Sequence, residues 1–205
     1  GLPDLFDHAW PTFLELPQQI RQLFYDRLNY IINGTEEIKS EYIDSMMMTM
    51  FNMFNIEEYV THLPQHCPGI LKHCLAICIN PKSSVKGRNL GAGCIYYTAS
   101  TSEGLELLHY EREDIITCFK RIRGLLQKRQ VGLTLRGPEI PYYMLIVVNK
   151  MAIVPKFSQM LIDQGALSTL PQLMVAGNQE VRETTVRLAI NVNESLSSAK
   201  YLLKI

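Results

Sequence analysis

The sequence predicts an all-α chain built as a helical solenoid, and three observations carry that expectation. Apolar residues recur at spacings of three and four along most of the 205 residues, the period of a helix that buries one face. No two neighbouring runs alternate apolar and polar residues as a hairpin would. A short helix, a medium one and a long one follow each other in a cadence that recurs after roughly forty to fifty residues. That is the mark of units that hide their apolar faces only by stacking on neighbours. The competing reading is a single irregular all-α domain.

The elements follow in order. A leader punctuated by Pro3, Pro11 and Pro17 precedes a first helix over 18–32, closed by Asn33-Gly34 as a C-terminal cap. Residues 40–55 form a methionine-rich helix, and 57–63 a short one stopped by Pro64, whose ring and missing N–H disfavour helix interiors. Helices over 68–79 and 84–99 complete this part. Residues 103–110 and 113–126 are the next two, the second strongly amphipathic. A loop with Gly132, Gly137 and Pro138 leads to Pro141, well placed in a first helical turn, and that helix runs to 152. Helices over 156–162, 166–175 and 180–193 end the series. The terminal SLSSAKYLLKI reads as the start of a further helix without a polar capping repeat, so the chain is expected to be part of a longer protein.

Composition narrows the function. The apolar fraction is 47% and the charged fraction 20%, as in packed globular proteins. Twenty basic residues balance twenty acidic ones, which argues against a dedicated nucleic-acid binder. No stretch has the length and apolarity of a membrane span, so no membrane partner is expected. Asp4, Asp7, Glu15 and Asp26 make the first thirty residues unlike a signal peptide, and the sequons at Asn33 and Asn193 then read as chance. Cys67, Cys74, Cys78, Cys94 and Cys118 are odd in number and lie mostly in apolar helical patterns. They suit free thiols of the cytoplasm or nucleus.

The segment FSQMLIDQGALSTLPQLM followed by AGNQEVRETTVRLAINVNES resembles the armadillo repeat. In that family a short first helix meets the second at a Gly-Ala-hydrophobic turn, matched here by Gly165-Ala166-Leu167, where a sharp corner wants glycine. SSVKGRNLGAGCIYYTASTSEGLELL resembles another third helix and the start of the next unit. The resemblance implies a right-handed α-solenoid of about four repeats, at 18–55, 56–99, 103–152 and 156–193, with 194–205 beginning a further helix. It implies a protein–protein interaction module that holds an extended peptide segment, or neighbouring subunits, in a concave groove. Armadillo proteins often grip a partner's backbone through an asparagine late in each third helix, since an amide both donates and accepts. Carried over, that position falls on Asn52, on Tyr96 (a departure from the pattern), on Asn149 or Lys150, and on Asn191. Met47, Met50 and Met53 would flank Asn52, although core packing is the plainer reading of that methionine run.

Two other clusters bear on chemistry. Lys120, Arg121, Arg123, Lys128, Arg129 and Arg136 lie in a stretch without any acidic residue, a local positive field for nucleic acid or an acidic ligand, or simply a solvated face. Around His62, His66, Cys67, His73, Cys74 and Cys78 the familiar zinc spacings are absent, so neither a metal nor another cofactor is expected. No phosphate loop, GxSxG or HExxH occurs, and the chain reads as non-catalytic. A fixed structural or regulatory part of a larger complex or enzyme is the alternative.

Overall fold

The computed structural model describes residues 10–33, 40–127 and 140–202, and the side chains of 13–33, 42–122 and 140–197. Among the described residues there are eleven α-helices, two 3-10 turns and no strand. The chain divides into two compact units, residues 1–104 and 105–205.

In the first unit a 3-10 turn, Trp10–Glu15, leads into α1 (Gln18–Asn33), followed by α2 (Ser40–Phe54), α3 (Glu57–His66), α4 (Ile70–Ile79) and α5 (Val85–Thr98). Helix α5 packs closely against both α2 and α4, and its glycines explain how. A methyl group on Gly91 would stand 2.9 Å from the Cys74 carbonyl oxygen and 3.2 Å from the Cys78 sulfur. One on Gly87 would stand 2.5 Å from the Asp44 carboxylate. Only bare backbone lets the helices approach this far. Ser84 starts α5 by accepting the Gly87 N–H at 2.8 Å while donating to Asp44 at 2.6 Å, so one hydroxyl caps one helix and ties it to another. Met47, Met50, Met53, Phe54, Leu63 and Ile70 are fully buried in this unit.

Helix α6 (Ser102–Tyr110) spans the division between the units. The second unit continues with α7 (Arg112–Gln127), α8 (Ile140–Met151) and α9 (Pro155–Asp163). A 3-10 turn, Ala166–Thr169, precedes α10 (Leu170–Ala176) and the long α11 (Gln179–Leu202). Helix α11 packs on α8, α9 and α10, and α7 packs on α8. Gly165 turns the corner after α9 at φ 65°, as its place in the repeat requires. Asn178 caps α11 by accepting the Val181 N–H at 3.0 Å.

Four sequence expectations need correcting. Helix α3 continues through Pro64 to His66. Proline's own φ is helical, and the loss of one N–H is tolerated because Tyr59, Val60 and Leu63 hold the helix in the core. Within the leader, where no element was expected, Trp10–Glu15 forms a 3-10 turn, with Phe13 buried edge-on against Phe24 and Tyr25 at 5.1 and 5.8 Å. Residues 166–175 are a 3-10 turn and then an α-helix, because Pro171 has no N–H for the α-helical bond to residue 167 and the preceding turn tightens. Finally, α11 runs unbroken past residue 193. No glycine or proline interrupts it, and the hydroxyls of Ser195 and Ser197 donate to its own carbonyls at 3.1 and 2.8 Å. The cap at Gly34 and the loop over 128–139 lie outside the described residues.

Candidate functional site

Within each unit the sequence-selected groove positions fall on a packed pair of helices. In the second unit these are α8 and α11. Asn191 donates its side-chain amide to the Oδ1 of Asn149 at 3.0 Å, and more loosely to the Asn149 backbone carbonyl at 3.4 Å. The two asparagines are 42 residues apart and half-buried. Among the described residues, the Asn149 side-chain NH2 and the Asn191 Oδ1 make no hydrogen bond within the chain. One donor and one acceptor therefore stand side by side, the complement of a single peptide unit. Lys150 is also half-buried, and Asn149 is the residue of the two that meets Asn191.

In the first unit, α2 and α5 carry Asn52 and Tyr96, both half-buried. The flanking aromatics form a short cluster: Phe51 lies edge-on to Tyr97 at 5.2 Å, and Tyr97 edge-on to Tyr96 at 5.3 Å. Met47, Met50 and Met53 do not line an apolar slot beside Asn52. All three have zero exposure, and the Met47 methyl lies against Gly91 of α5. The core reading of the methionine run holds, and the groove reading of those three side chains is overturned.

Next to this cluster is a cleft of about 310 Å³ lined by Phe54, Asn55, Glu57, Val60, Tyr97, Ser100 and Thr101. No local pattern in the sequence marks it. Its residues come from the ends of α2 and α5 and the start of α3, and no periodicity joins them. The Tyr96-Tyr97 doublet and the acidic residue opening α3 were the signals available.

Of the basic residues, Lys120 and Arg121 are exposed on α7. Arg123 lies on the same helix with its side chain outside the described residues, and Lys128, Arg129 and Arg136 lie outside them altogether. The five cysteines are free and buried. Burial pushes the Cys67 thiol up to about 11 and that of Cys118 up to about 12. Cys94 is held well above the usual thiol range by burial and then by its hydrogen bond with Cys74. Such thiols pack as small apolar groups.

Two of the histidines pack on a core tyrosine. Tyr25 and the Nε2 of His62 are hydrogen-bonded at 2.6 Å, and the His66 ring stacks on Tyr25 with centroids 4.6 Å apart. Burial lowers the pKa of His62, with His66 and Arg21 adding in the same direction, while burial raises that of Tyr25 to about 12. Among the described residues no group of three or more His, Cys, Asp or Glu side chains is arranged to hold a metal ion. None of the described helices is long and apolar enough to cross a membrane.

Neither a family model nor a curated protein matches the chain. Among solved structures the chain is similar to a designed armadillo repeat protein, with a TM-score of 0.57 and 17% sequence identity. The alignment covers 95% of this chain and 87% of that one. At that identity the likeness speaks for the fold: all-α and armadillo-like.

Proposed function

We propose that this armadillo-like chain is a non-catalytic interaction module that holds an extended segment of a partner protein, gripping its backbone through Asn149 and Asn191. The observation that supports this reading is the hydrogen bond between those two asparagines on packed helices, one repeat apart, with one donor and one acceptor left over. A pair of this kind can hold a peptide unit of any sequence, and side-chain pockets would supply the selectivity. Five buried free thiols support work in the reducing cytoplasm or nucleus.

Affinity purification with cross-linking mass spectrometry would name the partner and the contacted face. The double variant Asn149→Ala/Asn191→Ala should then bind that partner at least tenfold more weakly, with unchanged helical content. Unaltered affinity for the mapped partner would remove the asparagine grip.

A second reading has one observation in its favour. Val175, Val186 and Ile190 in the second unit are exposed by 86%, 48% and 48%, and apolar side chains on neighbouring helices suit a fixed contact with another subunit. In that case the chain is a structural part of a larger assembly. A monodisperse monomer by light scattering at high concentration would count against it.

A further inference from the structure

Helix α1 is lightly anchored. Of its sixteen residues only Tyr25 and Leu28 are buried, and Ile20, Leu23 and Tyr30 are exposed by 50%, 69% and 53%. A helix with so few buried contacts opens at lower free energy than the core it rests on. Tyr25 is the larger anchor, and what meets it is a pair of titratable rings one turn apart on α3. Its hydroxyl is bonded to the Nε2 of His62 at 2.6 Å. The exposed His66 ring lies flat on the phenol, with centroids 4.6 Å apart and planes 9° from parallel. The centroids of the two imidazoles are 4.4 Å apart. Two neutral ties complete this contact: Asn29 donates to the His66 backbone carbonyl at 2.9 Å, and the Cys67 thiol reaches the Tyr25 carbonyl at 4.0 Å.

We propose that His62 and His66 form an acid-sensitive latch, which in mild acid lets α1 leave α3 while α4 and α5 stay folded. The charges around the pair give the direction. From α1 come Arg21, a further cation, and Asp26, whose carboxylate accepts from Gln22 at 2.8 Å and acts on Cys67. From α3 comes Glu58, which acts on Tyr59. The 3-10 turn contributes the apolar Phe13, with Glu15 exposed. The charges bearing on His62 are thus His66 and Arg21, both positive in acid. A phenol oxygen accepts from an imidazolium as well as its hydroxyl donates to a neutral ring, so protonation alone does not remove the Tyr25 bond. It sets like charges side by side and buries one of them in part. Leaving α3 returns that charge to water and takes the Tyr25 carbonyl off Cys67, which has zero exposure in the closed state. Burial, then His66 and Arg21, lower the pKa of His62 from the ordinary 6.5. The contact is therefore at full strength above 6.5 and weakens as pH falls through the lowered value.

The test is amide hydrogen exchange of the 205-residue chain, read by mass spectrometry at about pH 7.5 and pH 5.5 and corrected for the intrinsic chemical rate. Protection over α1 should fall at least tenfold between the two, while that over α4 and α5 falls less than twofold. In His66→Gln, changed at an exposed side chain, the fall over α1 should be at least threefold smaller. In His62→Gln/His66→Gln it should shrink to less than twofold. Parallel loss of protection in α1, α4 and α5 is global acid unfolding and overturns the latch. So does an α1 whose protection is the same at both pH values. A full fall that persists in His66→Gln assigns the effect to other groups, such as His73 or His109, and overturns it as well. That single variant decides the matter even where the double variant does not fold.

Discussion

Asn191 reaches across from α11 to donate to Asn149 on α8, a 3.0 Å hydrogen bond between side chains 42 residues apart. It closes in sequence terms about one repeat and in space the gap between two packed helices. A half-buried amide pair of this kind contributes about 0.5–1.5 kcal/mol. A double-mutant cycle on Asn149→Ala and Asn191→Ala, read by urea unfolding, should therefore give a coupling energy in that range. Zero coupling would mean that the pair is held by the helices rather than helping to hold them.

Gly91 lets α5 lie against the backbone of α4. Alanine there gains helix propensity of about 1 kcal/mol. Its methyl group, however, meets the Cys74 carbonyl at 2.9 Å, and backbone gives way less readily than a side chain. Overpacking of this kind costs about 1–3 kcal/mol. Gly91→Ala should therefore lower stability by about 1 kcal/mol in denaturant melts. A more stable variant would show that α4 and α5 can part freely.

Acid should weaken the fold. Burial holds the pKa values of His62, His73 and His109 below the ordinary 6.5. The unfolded chain therefore takes up protons at these sites before the folded one does. The stability they contribute is complete above 6.5 and is lost as pH falls through the lowered folded values. The urea midpoint should drop between about pH 7.5 and pH 5.5, and His62→Gln should flatten part of that slope. A midpoint that rises in acid would contradict the sign.

The thiols should be silent in the native chain. With Cys67 at about 11 and Cys118 at about 12, almost no thiolate exists at neutral pH, and Cys94 is held higher than usual for the same reason. An aromatic disulfide reagent should titrate less than one thiol per chain on a timescale of minutes, against all five in denaturant. Rapid native reaction of two or more would mean that the core around α4 and α5 opens easily.

Much of the fold was legible because helical packing writes itself into local spacing. Phe24, Leu28 and Ile31 announce α1 without reference to any other residue, although Ile20 and Leu23 of the same spacing stay exposed, and Gly165 announces the corner after α9, since φ 65° is costly for other residues. Where the reading failed, the deciding force came from elsewhere in the chain. Pro64 stays inside α3 because Tyr59, Val60 and Leu63 are anchored in the core. Phe13 anchors the 3-10 turn at Trp10–Glu15 by packing on Phe24 and Tyr25. The choice between Asn149 and Lys150 was equally beyond local pattern, for a single step of register turns a helical side chain by about 100°.

The sequence alone settled the class of element, the cadence of the helices and the residue types set at their ends, all of which follow from interactions within a few positions of each other. Which methionines vanish into the core, which asparagine meets which, and that Glu57 shares a cleft with Tyr97 were decided by tertiary structure alone. The reason is physical. Periodicity fixes the face a side chain occupies, whereas the partner opposite that face is chosen by how closely two helices can approach, and here glycines such as Gly91 set that distance.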